Sequence, residues 1–532
     1  MASAQQILDN ENKPSIFEPI KNYVSQQTLG YTYKTIDPEF GVQFGYGSVI
    51  RFRIPAEGLL YPNSLAMFFN LQVRSFLPTT AAGRSLALPN DAGSIFQYCR
   101  LLLGRTHVID EIREFGPLNS YMADVQEPLE SYTGSGYLKG IGLETNVTNL
   151  TQGAALRGNY LNAAVNSTNN FPGWNLKRLY FKPRMGFFQS QKPLPLHLLG
   201  SQLYLEFKLF DSFFKMMYFP QSNNSTTQPS MDILDLSRPQ LRYKIEITNP
   251  TLDKQLIQAM RRQELQYQWD GVFYDQQNLS LNNQNQLLSY RPNKKRVKSA
   301  LAVIRCDADI TVGNFSQSPT NTYACLDPRD LSTANFDNVR RTALRNYQWN
   351  FNNFAFPEYP VHVFQLMPQY ATAPAGISSN AAWPITFDAN STLTCSAADA
   401  YYYFEEIYGS NLGPNKDGMW GMVDTLATAT AAAKTIANLP TSATADNGTI
   451  PAKLYMAAKF AYRSCQGDVL YAINTKDSNA PLQLRLAFNG LPRASETGGT
   501  WTGPPPAMTV DAWITYDKVF TLQENGVFIL DE

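Results

Sequence analysis

Alternation of apolar and polar residues is the dominant signal along this chain of 532 residues. In "LGSQLYLEFKLFD", Leu203, Leu205, Phe207 and Leu209 point one way, and Tyr204, Glu206 and Lys208 point the other. That period of two predicts a half-buried β-strand. Two prolines, Pro193 and Pro195, stiffen the chain just before it. They fix φ and withhold N–H donors, which suits chain that borders a sheet without extending it. Similar strands are expected at 48–55, 64–76, 94–104, 176–183 and 239–248, and again at 298–306, 346–363, 452–463, 480–490 and 507–530. In "NYQWNFNNFAFPEYPVHV" (346–363) Tyr347, Trp349 and Phe351 share one face.

Helical spacing is rarer. Ile109, Ile112 and Phe115 predict a short helix over 107–115, closed by Gly116-Pro117. Leu252, Leu256 and Met260 follow an Asn-Pro start and predict a helix over 249–262 that divides the chain. "SAADAYYYFEEIYG" (396–409) predicts a third, with Ser396 as N-cap. Residues 1–45 read as a polar, extended N-terminal arm, and 126–175, 307–340 and 410–450 as long irregular excursions. Each half repeats one plan: early strands, a strand with a short helix, a long excursion, then closing strands. The expectation is an all-β chain of two tandem β-sandwiches of like topology, at 46–248 and 249–532.

Composition agrees with that plan. Charged residues are 17% of the chain, against about 25% in ordinary soluble proteins. Tyrosine (29), phenylalanine (31), proline (33) and glycine (32) take their place, and they suit pleated surfaces and turns. The 44 basic and 44 acidic residues cancel, which argues against a globally basic nucleic-acid binder, because phosphate neutralisation supplies most of such affinity. Cys99, Cys306, Cys325, Cys395 and Cys465 are odd in number and scattered, and read as reduced thiols of an intracellular protein. The N-terminus lacks the basic and apolar regions of a secretory signal, and no apolar run is long enough to span a bilayer.

Candidate chemistry is sparse. His107, His197 and His362 lie far apart and include no H-x-H pair, so the metal site of a cupin-type oxygenase is not expected. Nucleophile-elbow, P-loop and dinucleotide-binding motifs are absent from the sequence. Glu405 and Glu406 are adjacent on the expected helix and face different ways, unlike the opposed carboxyls of a glycosidase. Tyr401–Phe404 could stack on sugars or pack between sandwiches. The run "RPNKKRVK", Arg291–Lys298, reads as a nuclear-import patch, a contact with nucleic acid or headgroups, or a solvated turn. No catalytic, metal or cofactor residue is assigned, and an enzyme is not expected.

Three stretches resemble a known family. "LYFKPRMGFFQSQKPLPLHLLGSQLYLEFKL", "RNYQWNFNNFAFPEYPV" followed by the Tyr-rich helix, and the C-terminal "AWITYDKVFTLQENGVFILDE" resemble, in that order, the double jelly-roll major capsid proteins of the adenovirus, virophage and polinton-like virus lineage. The resemblance implies two tandem eight-stranded jelly rolls standing side by side, three chains making a pseudo-hexameric capsomer, and capsomers tiling the icosahedral shell of a DNA virus. It implies outward-projecting D–E and F–G loops, an inner terminal arm, and partners comprising the chain itself and penton and minor or cement proteins, and it leaves open whether an internal membrane lies beneath the shell. Its implied place is the virion, without sequence-specific nucleic-acid binding. The alternative is a carbohydrate-binding or carbohydrate-active β-sandwich, such as a viral spike or fibre subunit.

Overall fold

The computed structural model describes residues 28–74, 91–126, 138–139, 176–190, 192–211, 233–280, 283–306, 344–362, 364–368, 386–388, 391–395, 402–403, 407, 455–461, 472–478, 480–488, 508–523 and 528–531. Sixteen strands carry the architecture. The first eight are β1 (Thr28–Ile36), β2 (Val49–Ile54), β3 (Ala66–Arg74), β4 (Phe96–Leu103), β5 (His107–Arg113), β6 (Leu176–Phe181), β7 (Leu203–Leu209) and β8 (Ile233–Thr248). The second eight are β9 (Gln266–Asn278), β10 (Asn285–Tyr290), β11 (Val297–Cys306), β12 (Leu344–Phe351), β13 (Phe354–His362), β14 (Met456–Lys459), β15 (Leu482–Phe488) and β16 (Met508–Leu522).

Their pairing repeats. The first set forms the sheets β1-β8-β3-β6 and β2-β7-β4-β5. The second forms β9-β16-β11-β14 and β10-β15-β12-β13, the same order with every number raised by eight. All these pairings are antiparallel. The order makes each set a two-sheet Greek-key sandwich. Short strands, Leu59–Leu60 and Leu194–Pro195 among them, extend the β1-containing sheet. A separate three-stranded sheet (Phe364–Pro368, Thr386–Asp388, Ser391–Cys395) lies in the β13–β14 connection.

Aromatic residues close each sandwich. In the first, Phe96 of β4 meets Phe69 of β3 at 6.0 Å and Phe181 of β6 at 5.4 Å, while Phe207 of β7 meets Phe181 at 5.6 Å. In the second, Tyr347 Oη and Trp349 Nε1 of β12 donate across the core to the carbonyls of Ala457 and Met456 on β14, both at 3.3 Å. Burying these rings stabilises each layer pair, since large aromatics dominate core energetics.

Several sequence expectations are corrected. β1 lies inside the expected 1–45 arm: Tyr31, Tyr33 and Thr35 face solvent, and the ladder to β8 holds the strand although its own residues are polar. The expected helix at 107–115 is the strand β5, because short apolar spacing fits either period and the ladder to β4 decides it. The helix α1 (Phe115–Gln126) follows instead, and Gly116-Pro117 lies in its first turn. A Cβ at Gly116 would stand 2.1 Å from the Ser94 carbonyl, so only glycine permits that approach. Of the expected strand at 346–363, residues 346–362 are a hairpin, β12–β13, that turns at Asn352 with φ +52°.

The strand β7 is buried rather than half-buried: only Lys208 is even partly exposed, and Glu206 is covered and ion-paired to Arg51. The chain before it does extend a sheet, as Leu194–Pro195 pairs with Leu59–Leu60, and Pro195 is part of that ladder. The dividing helix is α2 (Pro250–Arg261), and Asn249 Oδ1 accepts from Leu252 N at 2.8 Å as its N-cap. Of the 396–409 helix, residues 402–403 and 407 are described and are helical. Almost all of 126–175 and all of 307–340 and 410–450 lie outside the described residues.

Candidate functional site

The two sandwiches meet along a seam, where a buried acid and a buried lysine from opposite sandwiches meet. Asp110 of β5 is at its centre. Its Oδ1 accepts from Lys518 Nζ of β16 at 2.8 Å, and its Oδ2 accepts from Trp269 Nε1 of β9 at 3.1 Å and from Phe187 N at 3.2 Å. Lys518 also donates to the Ile109 carbonyl at 3.2 Å. A carboxylate so placed is supplied with donors on both oxygens, which offsets the cost of burying it.

Aromatic packing surrounds this pair. Trp269 stacks on Phe520 with centroids 4.3 Å apart and takes the edge of Phe187 at 5.4 Å. Gly186 has φ +63°, and a Cβ there would come within 2.6 Å of Asp110 Oδ2. Glycine is therefore required for both reasons. Further along, Trp513 Nε1 donates to the Arg113 carbonyl at 3.4 Å, and Tyr121 of α1 packs against Trp513 and Tyr455.

The proline-rich stretch ahead of β7 belongs to the same seam. The Pro193 carbonyl accepts from Tyr267 Oη at 3.3 Å, and His197 links the Gly58 carbonyl (3.1 Å) to Asp253 of α2 (2.8 Å). Burial pushes the Tyr267 phenol well above its ordinary range. The buried apolar residues of both sandwiches form one continuous cluster.

Outside the seam, β2-β7-β4-β5 carries a row of alternating charge across its outer face. Arg51, Glu206, Arg100 and Glu111 stand opposite one another in register, with Arg51 paired to Glu206 and Arg100 to Glu111 (2.7 Å). Behind this row Cys99 is buried, and burial, then the nearby Asp110 and Glu206, hold its thiol far above the ordinary range. Such a thiol is a packing residue with little thiolate character.

The sequence candidates are dispersed. His107 opens β5 and His362 closes β13, both exposed, while His197 is in the seam. The basic run Arg291–Lys298 is largely drawn into the fold. Lys298 is buried between Asp270 and Asp517, Lys294 lies over the Tyr516 ring at 4.7 Å, and the Arg296 carbonyl accepts from Asp517 N at 3.0 Å. Glu405 and Glu406 lie outside the described residues, as do Tyr401 and Phe404; Tyr402 is exposed and Tyr403 packs against the core. Among the described residues no cluster of three His, Cys, Asp or Glu could hold a metal ion, and no helix is long and apolar enough to cross a membrane. Sequence reasoning missed Asp110, Trp269 and Lys518, which lie on three strands far apart in the sequence, each of mixed polar and apolar residues that give no local signal.

No family model matches the sequence, and no curated protein does. Solved structures do match. A chain of the Sputnik virophage, from a cryo-EM structure, is 9% identical over 97% of this chain and 90% of its own, with a TM-score of 0.51. The chain is a double jelly roll. Other matches are a chain of the PBCV-1 virus capsid (11% identical, 96% of this chain and 99% of that one, TM-score 0.47) and the mavirus major capsid protein (10%, 97% and 91%, TM-score 0.46). Within the double jelly roll, the seam described above is the contact between the first roll and the second.

Proposed function

We propose that this double jelly roll is the major capsid protein of a DNA virus, a structural and non-catalytic building block of the virion that acts as a trimer. The observation that carries the reading is the duplication itself: two rolls of identical strand order, side by side and fused through one buried seam. Such a chain presents each surface nearly twice. Three copies therefore offer six rolls in near-equivalent settings, and a head-to-tail contact that closes makes a ring. The fold shared with a chain of the Sputnik virophage supports the same reading. The division falls at Asn249, with the first roll opening at β1 rather than at residue 46. The long connections β5–β6 and β13–β14, with β11–β12, form the outer decoration, and partners beyond the chain itself are penton and minor capsid proteins.

Light scattering of the purified chain tests this. A species three times the 59.7 kDa chain mass is expected. A monomer that binds glycans on an array would instead support the spike or fibre alternative.

A further inference from the structure

The repeated strand order allows the seam inside one chain to be transferred, residue by residue, onto two surfaces that lie open. Arg242 of β8 stands opposite Ala66, the first residue of β3, and Tyr516 of β16 stands opposite Val297, the first residue of β11. Counting on from these, Lys244 opposite Tyr33 takes the place of Lys518 opposite Trp269. The seam pair has a counterpart of the same chemistry, an aromatic beside a lysine. Yet Trp269 is 5% exposed and Tyr33 is 71% exposed. Tyr31 and Ile247 beside it are exposed too, and Lys244 lies over the Tyr31 ring at 4.6 Å.

The acidic side of the seam has a counterpart as well. Ile112 of β5 stands opposite Cys99, and Val361 of β13 stands opposite Tyr347; both opposed residues lie level with the second position of β2 or β10 across their sheets. Both strands then bulge, β5 beside Asp110 and β13 through Pro357–Pro360. Two residues before Ile112 comes Asp110; two and three residues before Val361 come Tyr359 and Glu358. Both are exposed, Tyr359 at 77%. One roll thus shows exposed aromatics beside a half-buried lysine that also lies 3.7 Å from Glu246, and the other an exposed bulge in which Tyr359 takes the place of Asp110 with Glu358 next to it.

We propose that these two surfaces join neighbouring copies of this chain, with Glu358 and Tyr359 of one copy seated on Lys244, Tyr33 and Tyr31 of the next, as Asp110 is seated on Lys518 and Trp269 within the chain. This rests on the trimeric reading above and specifies its interface. The occupant is a second copy because the chain itself supplies both complementary halves, on opposite rolls, where one molecule cannot bring them together without breaking the seam. The contact is heterologous, as ring closure demands.

The test is charge exchange followed by sedimentation velocity, with circular dichroism to confirm folding. Lys244→Glu and Glu358→Lys each place like charges across every joint, and each is expected to weaken trimer formation at least ~tenfold. The double variant restores opposite charges and is expected to recover trimers. Tyr359→Ser, which removes the seated ring without changing charge, is expected to weaken assembly with the monomer still folded. Wild-type trimers that are indifferent to both single exchanges, or folded single variants that fail without rescue in the double, would overturn this interface and leave the trimer standing. A wild-type chain that never associates would overturn the trimeric reading itself.

Discussion

Asp110 is the residue on which the junction of the rolls turns, because it is buried and its partners come from three other segments. Asp110→Ala leaves Lys518 as an uncompensated buried cation and the Trp269 N–H without its acceptor. Breaking one side of a buried pair costs about 3–5 kcal/mol; a loss of that size in urea denaturation is expected, and a loss near zero would show that water replaces the carboxylate freely. Gly186→Ala is expected to be destabilising on two counts, the left-handed φ and the contact with Asp110. The buried tyrosines set an alkaline limit. Burial raises the phenols of Tyr243, Tyr267 and Tyr290, and burial with Glu246 raises Tyr61, all above the ordinary 10.0. The unfolded chain then sheds protons that the native chain keeps, so the contribution is complete below pH 10 and is lost as pH rises beyond it. Denaturation midpoints should fall from pH 10 upward, with phenolate absorbance appearing together with unfolding; phenolate formation in a chain that stays folded would contradict the burial.

At the scale of elements, local chemistry was legible where a segment carries its own reason for being. The helix α2 is written in the sequence as Asn249-Pro250 followed by apolar residues four apart. Asn249→Ala removes the acceptor for Leu252 N and is expected to cost ~1 kcal/mol in thermal or chemical melts. The wall strand β7 and the hairpin strand β12 were equally legible from period-two alternation. Others were hidden for identifiable causes. β1 exposes Tyr31 and Tyr33 and reads as a polar arm, because the residues that fix it belong to β8, some two hundred positions away. β5 and a helix share the spacing of Ile109 and Ile112, and only the partner strand β4 separates them. The seam was beyond sequence reasoning, since Asp110 and Lys518 are 408 residues apart and nothing local joins them. The role of the stretch with Pro193 and Pro195 is positional: it presents the Pro193 carbonyl to Tyr267 and His197 to Asp253 at the joint between rolls.

For the whole molecule, duplication is the organising fact. One strand order is used twice, and the two rolls share a continuous buried cluster rather than a mobile linker. A chain built this way is expected to unfold in one transition; two well-separated calorimetric peaks would mean that the seam contributes little to stability. Fusion also fixes the angle between rolls, and in the trimer proposed above a fixed angle would let three chains close instead of polymerising into an open filament. Neutral net charge removes long-range repulsion between copies, so aromatic and ion-paired surfaces can approach. The most direct measurement is electron microscopy of the purified protein. Three-fold particles of hexagonal outline are expected, with six rolls in a ring and β13 of each chain against β1 and β8 of the next. Isolated chains, two-fold dimers or open filaments would contradict it.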